Sequence, residues 1–388
     1  MKVLIAIDSF KGSISSIEGS NAISSGIRDI YPDAEIITLP LADGGEGTVE
    51  ALVQATDGQL ISKEVTGPLN EKVNAIYGIL GDRKTAVIEV AAACGLPLVP
   101  SDKRNPLVTT TYGVGELICD AVDRGCREFV IGLGGSATND AGVGMLQALG
   151  FTFLDQHEKE ISLGGQELLN IRSVDVTSVR PELKDCTFKA ACDVNNPLYG
   201  PTGAAHIFGP QKGATAEMIK ELDKGLKNFA EVVLHKLCTD IHNIAGAGAA
   251  GGLGAAFAGF LQAKLQSGIE LVLEITEMEK NMQGVDFVIT GEGKLDGQTS
   301  MGKAPLGVAQ LAQKYEIPVL ALAGGINEET AILNELGVTS YFSVVNAPMT
   351  LEEAMDSKVT YYNLRSTTNQ LFRLVQTVLS VKCKRLVL

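Results

Sequence analysis

Short apolar runs alternate with longer amphipathic segments from the first residues onward. Lys2–Ile7 is rich in β-branched residues and ends at Asp8, the pattern of a buried parallel strand. Ser15 or Ser16 then caps a helix reaching about Ile30, with Glu18 placed for a capping box. Glu35–Leu41 reads as a second strand and Gly45–Ala55 as a second helix. Strand and helix exchanging at this pace predict a doubly wound α/β sheet.

At about Gly58 the rhythm changes. Gln59–Thr66 and Lys72–Leu80 alternate as strands around a Gly67-Pro68-Leu69-Asn70 turn, and Thr85–Ala91 follows, which has antiparallel meander character. Strand and helix patterns return with Gly113–Arg124, Glu128–Leu133, Asn139–Leu149 and Phe151–Leu154. Cys186–Cys192 reads as a strand, Thr215–Leu237 as a long helix and Gly268–Met282 as another. From Val285 the α/β rhythm resumes: strand Asp286–Thr290, a helix to Tyr315, strands Pro318–Ala323 and Tyr341–Val345, and a C-terminal helix near Lys358–Ser380. The expected organisation is one domain formed by residues 1–60 and 284–388, with a second, 61–283, inserted into it.

Composition narrows the function. Hydrophobic residues at 45% suffice for two cores, and charged residues at 20% leave no case for wholesale disorder. A formal net charge of −14 without basic runs excludes a nucleic-acid face. The seven cysteines lack metal-like spacing and sit mostly in apolar runs, as expected of reduced thiols in a cytoplasmic protein. The N-terminus lacks a signal-type apolar region, and the most apolar stretch, Ile244–Leu261, is dominated by Gly and Ala, so no membrane partner is expected.

The chemistry concentrates in five loops. FVITGEGKLDGQTSMGK (287–303) reads as a strand, a turn carrying Gly291, Glu292, Gly293, Lys294 and Asp296, and a helix start near Lys303. A glycine-rich loop at a helix N-terminus holds phosphate, and its carboxylates and lysines add charges for a metal and a transferring phosphoryl group. GQTSMGK has Walker spacing but continues with Ala304, where a P-loop needs Ser or Thr. Asp8-Ser9-Phe10-Lys11-Gly12 and Asp43-Gly44-Gly45-Glu46-Gly47-Thr48 each follow a strand, where Asp8, Asp43 and Lys11 make a candidate nucleotide or metal site; the competing reading is that the aspartates cap helices.

Gly132–Asp140, GLGGSATND, follows a strand and satisfies G-x-G-x-x-A, with Asp155 about twenty residues on. That outline makes a nicotinamide-dependent oxidoreductase the alternative enzyme. Ser136, Thr138 and Asn139 crowd the turn with hydroxyl and amide groups, which suits a small polyoxygenated anion better. Gly246–Gly251 matches G-x-G-x-x-G without a preceding strand and reads as a hinge or close helix contact. Asp193 and Asp296 follow apolar strands and could accept a hydroxyl proton or hold Mg²⁺; Asn195 and Asn196 could hydrogen-bond substrate. An isolated Asp in a turn is more often an Asx-turn. The four histidines show no metal spacing, and no G-x-S-x-G elbow occurs.

VLIAIDSFKGS, PLADGGEGT, IGLGGSATNDAGVGMLQALG, ACDVNNPL with GPTGAAHIFGPQKGA, and VITGEGKLDGQTSMGKAP together resemble the type I glycerate kinase family, from residue 3 to about 305. The resemblance implies ATP-dependent phosphorylation of D-glycerate with Mg²⁺, at the 2-hydroxyl. It also implies a Rossmann-like domain and an inserted flavodoxin-like domain, with the active site in the cleft between them. On that basis Ser136, Thr138, Asn139 and Asn195 are expected to bind glycerate. Lys11, Lys294 and Lys303, with Asp8, Gly291 and Gly293, are expected at the ATP phosphates. Asp193 or Asp296 is expected as base, with Lys11 assisting, and Asp193, Asp296 and Asp43 as the metal carboxylates. Whether the chain forms a homo-oligomer stays open, and a sensor that has kept the fold without turnover is the non-enzymatic alternative.

Overall fold

The computed structural model describes the chain except residues 43, 298, 300–302, 387 and 388, and beyond residue 381 its backbone alone. In chain order the strands are β1 (Lys2–Ile7), β2 (Glu35–Thr38), β3 (Gln59–Thr66), β4 (Lys72–Ile79), β5 (Thr85–Glu89), β6 (Glu128–Gly132) and β7 (Thr152–Leu154). They continue with β8 (Ser173–Asp175), β9 (Thr187–Ala191), β10 (Lys264–Gln266), β11 (Phe287–Leu295), β12 (Val319–Ile326) and β13 (Ser340–Ser343). Two compact units result, Met1–Asp43 with Val272–Leu388, and Gly44–Leu271.

The first unit holds a five-stranded parallel sheet ordered β13-β12-β11-β1-β2. Renumbered within the unit this is 2-1-3-4-5, the flavodoxin arrangement, whose order reverses between β1 and β11. The parallel α/β sheet expected for the unit built from both termini is present, in this doubly wound order. Val3, Ile5 and Ile7 are buried against Ile23 and Ile27 of the helix Ser16–Arg28, whose start carries the expected Ser15–Glu18 capping box. That helix lies against the C-terminal helix Ser357–Leu386 so closely that a Cβ on Gly26 would stand 2.5 Å from the Arg365 carbonyl oxygen. Arg365 clamps Asp29 with two hydrogen bonds, of 2.9 and 3.0 Å.

The second unit holds a six-stranded mixed sheet ordered β10-β9-β6-β5-β4-β3. β5, β6, β9 and β10 run parallel, while β3 and β4 form the antiparallel hairpin read from the Gly67–Asn70 turn. Its core includes Ile88, Phe129, Ile131, Phe188 and Phe257, with the Phe129 and Phe188 rings stacked at 4.7 Å. The helix Thr48–Ala55 packs on β3–β5 rather than on the first sheet: a Cβ on Gly78 would meet Val53 at 2.4 Å. The division accordingly falls at 43/44 and 271/272, where the change of sequence rhythm suggested 60/61 and 283/284.

Three other local expectations differ. The strand Phe151–Leu154 lies outside the main sheet, pairing as β7 with β8. The helix expected from Asn139 begins only at Val143, because Ala141 (φ 54°) and Gly142 (φ 73°) are both left-handed. Glu277, at φ 47°, divides the helix expected over Gly268–Met282 into Gly268–Ile275 and Met278–Asn281. Among the described residues no helix is long and apolar enough to cross a membrane.

Candidate active site

In an open α/β sheet ligands bind beyond the carboxyl ends of the strands, at the point where strand order reverses. In the first unit that point lies between β1 and β11. Asp8 follows β1, its amide donating to the Gly291 carbonyl, and its buried carboxylate accepts the Ser9 amide at 2.6 Å. Lys11 lies three residues on and is exposed.

β11 runs further than its sequence suggested, to Leu295, because Lys294 and Leu295 still pair with Gly325 and Ile326 of β12. Gly291, Glu292, Gly293 and Lys294 are therefore strand residues rather than turn residues. A Cβ on Gly291 would stand 2.1 Å from the Leu322 carbonyl oxygen, so close strand packing accounts for this glycine. Buried Glu292 accepts the Thr299 hydroxyl at 2.5 Å, and the same hydroxyl accepts the Asp296 amide at 3.2 Å. Lys294 is exposed and pairs with the Asp296 carboxylate at 3.3 Å. Lys303 occupies the N-cap position of the helix Ala304–Gln313, where orphan amides favour an anion.

The second unit gathers its polar loops on one edge, beyond the carboxyl ends of β5, β6 and β9. Gly44–Thr48 packs there: a Cβ on Gly44 would stand 2.4 Å from the Ala191 Cβ, and one on Gly132 would stand 2.5 Å from the Gly44 carbonyl oxygen. The described part of this acidic loop thus packs with the β6 and β9 loops of the second unit. Asp43 lies outside the described residues.

After β6, Gly134 and Gly135 form an exposed tip, with Gly135 left-handed at φ 71°. Ser136 is nearly buried, and Thr138 and Asn139 are fully buried. The loop is pinned by Ala137 N–H to the Cys94 carbonyl (2.8 Å), and by Leu96 N–H to the Gly135 carbonyl (2.8 Å). Asp140 is a scaffold residue. It accepts the Thr111 amide and hydroxyl at 2.9 and 2.8 Å, and burial pushes its carboxyl above the ordinary range. Both amide atoms of Asn139 are buried and find no hydrogen-bond partner among the described residues. The G-x-G-x-x-G at 246–251 serves this loop structurally, since a Cβ on Gly251 would stand 2.0 Å from the Thr138 carbonyl oxygen.

After β9, Asp193 is exposed and accepts the Gly268 amide at 3.1 Å, at the start of the helix Gly268–Ile275. Asn195 is exposed, while Asn196 donates to the Thr202 carbonyl. His206 faces Asp223 at 3.9 Å. Asp155 is half-buried in a turn and accepts the His157 and Lys159 amides, and the strand before it, β7, is not in the main sheet. It lacks the position beside the glycine loop that recognition of a ribose would need.

Two residues escaped the sequence reading. Glu89 ends β5 in register with Gly132, and its carboxylate accepts the Val49 amide at 2.9 Å. Burial pushes this carboxyl up to about 7, against the opposing bonds from the Val49 and Thr48 amides. Its one signal was an acidic residue closing an apolar strand. The other, Lys212, is buried and donates to the Ser136 hydroxyl (2.9 Å) and the Thr138 carbonyl (2.6 Å). It stood inside GPTGAAHIFGPQKGA with nothing to mark it as buried.

A sequence model of the glycerate kinase family matches residues 3–376. The chain belongs to this family. It is 51% identical over 354 residues to the glycerate 2-kinase of Escherichia coli K12, covering 91% of this chain and 93% of that one. It is 49% identical to the glycerate kinase of Bacillus subtilis 168 over 93% of this chain and 94% of that one. A crystal structure assigned to glycerate kinase 2 of Salmonella typhimurium LT2 superposes with a TM-score of 0.89 at 46% identity, covering 97% and 98% of the two chains. Membership of a kinase family removes the nicotinamide reading.

Mg²⁺ demands few protein ligands, one or two carboxylates beside phosphate oxygens and water. Among the described residues no group of three metal-binding side chains occurs. The buried acidic residues Asp8 and Glu292, each one position beyond the last β1–β11 pair Ile7–Gly291, match that smaller requirement.

Proposed function

We propose that this protein transfers the γ-phosphoryl group of ATP to the 2-hydroxyl of D-glycerate, in the cytoplasm and with Mg²⁺. The full-length family match carries the proposal, and the E. coli relative named a glycerate 2-kinase supports the position. The free thiols, with Cys94 and Cys126 buried, agree with a reducing compartment. We assign the phosphates to the first unit's edge, where Lys11, Lys294 and Lys303 supply cationic charge and Lys303 stands at a helix N-terminus. Asp8 and Glu292, with Asp296, would hold Mg²⁺, which supplies charge neutralisation of the phosphoryl oxygens when bound.

We assign glycerate to the second unit's edge, at the Gly134–Ser136 tip, with Asn195 near the β9 end and Asn139 behind the tip. Asp193 stands on that same edge and is the better base. It takes the 2-hydroxyl proton as the oxygen attacks phosphorus and ADP departs, giving 2-phosphoglycerate. Asp296, tied to Lys294 on the other unit, is assigned to charge and metal. The test mixes the protein with D-glycerate, ATP and Mg²⁺, follows ADP, and adds enolase as reporter. Product consumed directly by enolase establishes the 2-kinase. ADP formation with a product that enolase leaves untouched overturns the positional assignment.

A further inference from the structure

Lys212 ends the single turn Pro210–Lys212 and lies 2% exposed beneath the β6 loop. Its Nζ reaches both the Ser136 hydroxyl and the Thr138 carbonyl, and among the described residues no carboxylate pairs with it. An ammonium buried without a carboxylate partner is costly to desolvate, and a nearby anion would offset that cost. The groups facing it are the Cys94 thiol at the end of the short helix Ala91–Cys94, and Asp140 in the β6 loop. Asp140 is itself engaged by Thr111. Arg104 lies against the adjoining Gly213.

A Ser136 oxygen that accepts from an ammonium is polarised, which makes its own O–H a stronger donor. That donor sits next to the exposed Gly134–Gly135 tip. Asn139, two residues beyond Ala137, keeps an amide donor and acceptor unmatched in the same loop.

We propose that Lys212 is a positioning residue that gives the Gly134–Ser136 loop its affinity for the substrate carboxylate, acting as a buried counter-charge through the Ser136 hydroxyl. The proposal rests on the assignment of glycerate to the second unit's edge. Lys212 does not touch the reacting atoms; its effect falls on glycerate binding and leaves ATP binding alone.

Burial lowers the Lys212 ammonium to about 8, with Cys94 and Asp140 acting in the opposite sense. Below that pH the loop carries a positive charge and binds the carboxylate; above it the charge is lost. KM for D-glycerate in the native enzyme should therefore rise by up to about tenfold per pH unit beyond about pH 8, while KM for ATP does not follow.

The test measures KM for D-glycerate and for ATP from about pH 6.5 to 9.5 in the native protein, Lys212→Met and Ser136→Ala. Lys212→Met should raise KM for glycerate about tenfold or more near pH 7, hold KM for ATP within about twofold, and flatten the alkaline rise. Ser136→Ala, a smaller change, should raise KM for glycerate and keep KM for ATP. A purely structural Lys212 would damage both constants together and leave no pH signature. The proposal is overturned if Lys212→Met retains the native alkaline rise, or if Ser136→Ala leaves KM for glycerate unchanged. Should Lys212→Met not fold, a native KM for glycerate that is flat across pH 8 overturns it equally. Absence of any turnover with D-glycerate in the native protein sinks the substrate assignment itself and is recognised before any variant is compared.

Discussion

Glu89 couples the second unit's stability to pH in a way that can be worked from its surroundings. Its carboxyl rises from 4.5 to about 7 because burial penalises the charged form, with Glu50 and Glu46 adding to the effect and the Val49 and Thr48 amides opposing it. The folded state therefore holds this proton more tightly than the unfolded chain, and stability falls as pH climbs from about 4.5 to about 7. At about 1.4 kcal/mol per unit, the loss is on the order of 3 kcal/mol, complete above neutrality and absent below about pH 4.5.

Glu89→Gln keeps an oxygen for the Val49 amide and removes the titration. Thermal melts of both proteins should nearly coincide near pH 4.5 and diverge with rising pH. By about pH 8 the variant should melt about 6–12 °C higher, using the slope typical of domains of this size. A difference in melting temperature that stays constant between pH 4.5 and 8 would refute the reasoning, because it would mean that Glu89 titrates alike in both states.

Asp193→Asn should lower kcat by about 10²-fold or more with modest change in either KM, since Asn still accepts the Gly268 amide; steady-state kinetics with near-native kcat would remove Asp193 as base. Gly44→Ala should cost roughly 2–4 kcal/mol, because its φ of 83° disfavours a side chain and its Cβ would stand 2.4 Å from Ala191; an unchanged melting temperature would contradict that packing.

Local periodicity and capping exposed much of the fold. The Ser15–Glu18 box, the long helix ending at Leu237 and the Gly67–Asn70 hairpin were legible because each is decided within a few residues. Strand order was not legible, because β1 pairs with β11 across most of the chain and no local residue names its partner. The helix Thr48–Ala55 went to the other unit for a similar reason: glycine at position 78 makes room for it, and that fit is invisible in one dimension. The polar loops were visible as glycine and hydroxyl clusters. Lys212 and Glu89 were not, since their roles depend on burial that other segments impose.

The place of β1 inside the first sheet, between β2 and β11, has a consequence for synthesis. β1 emerges first and finds β2 soon afterwards, but its other neighbour, β11, begins at Phe287. At about 5–20 residues per second, ribosomes leave one edge of β1 unmatched for on the order of ten seconds or more. Meanwhile every residue of the second unit is made, and that unit can close its own sheet. The nascent N-terminus is thus a hydrophobic strand in waiting, and the C-terminal segment is the late-arriving half that completes it.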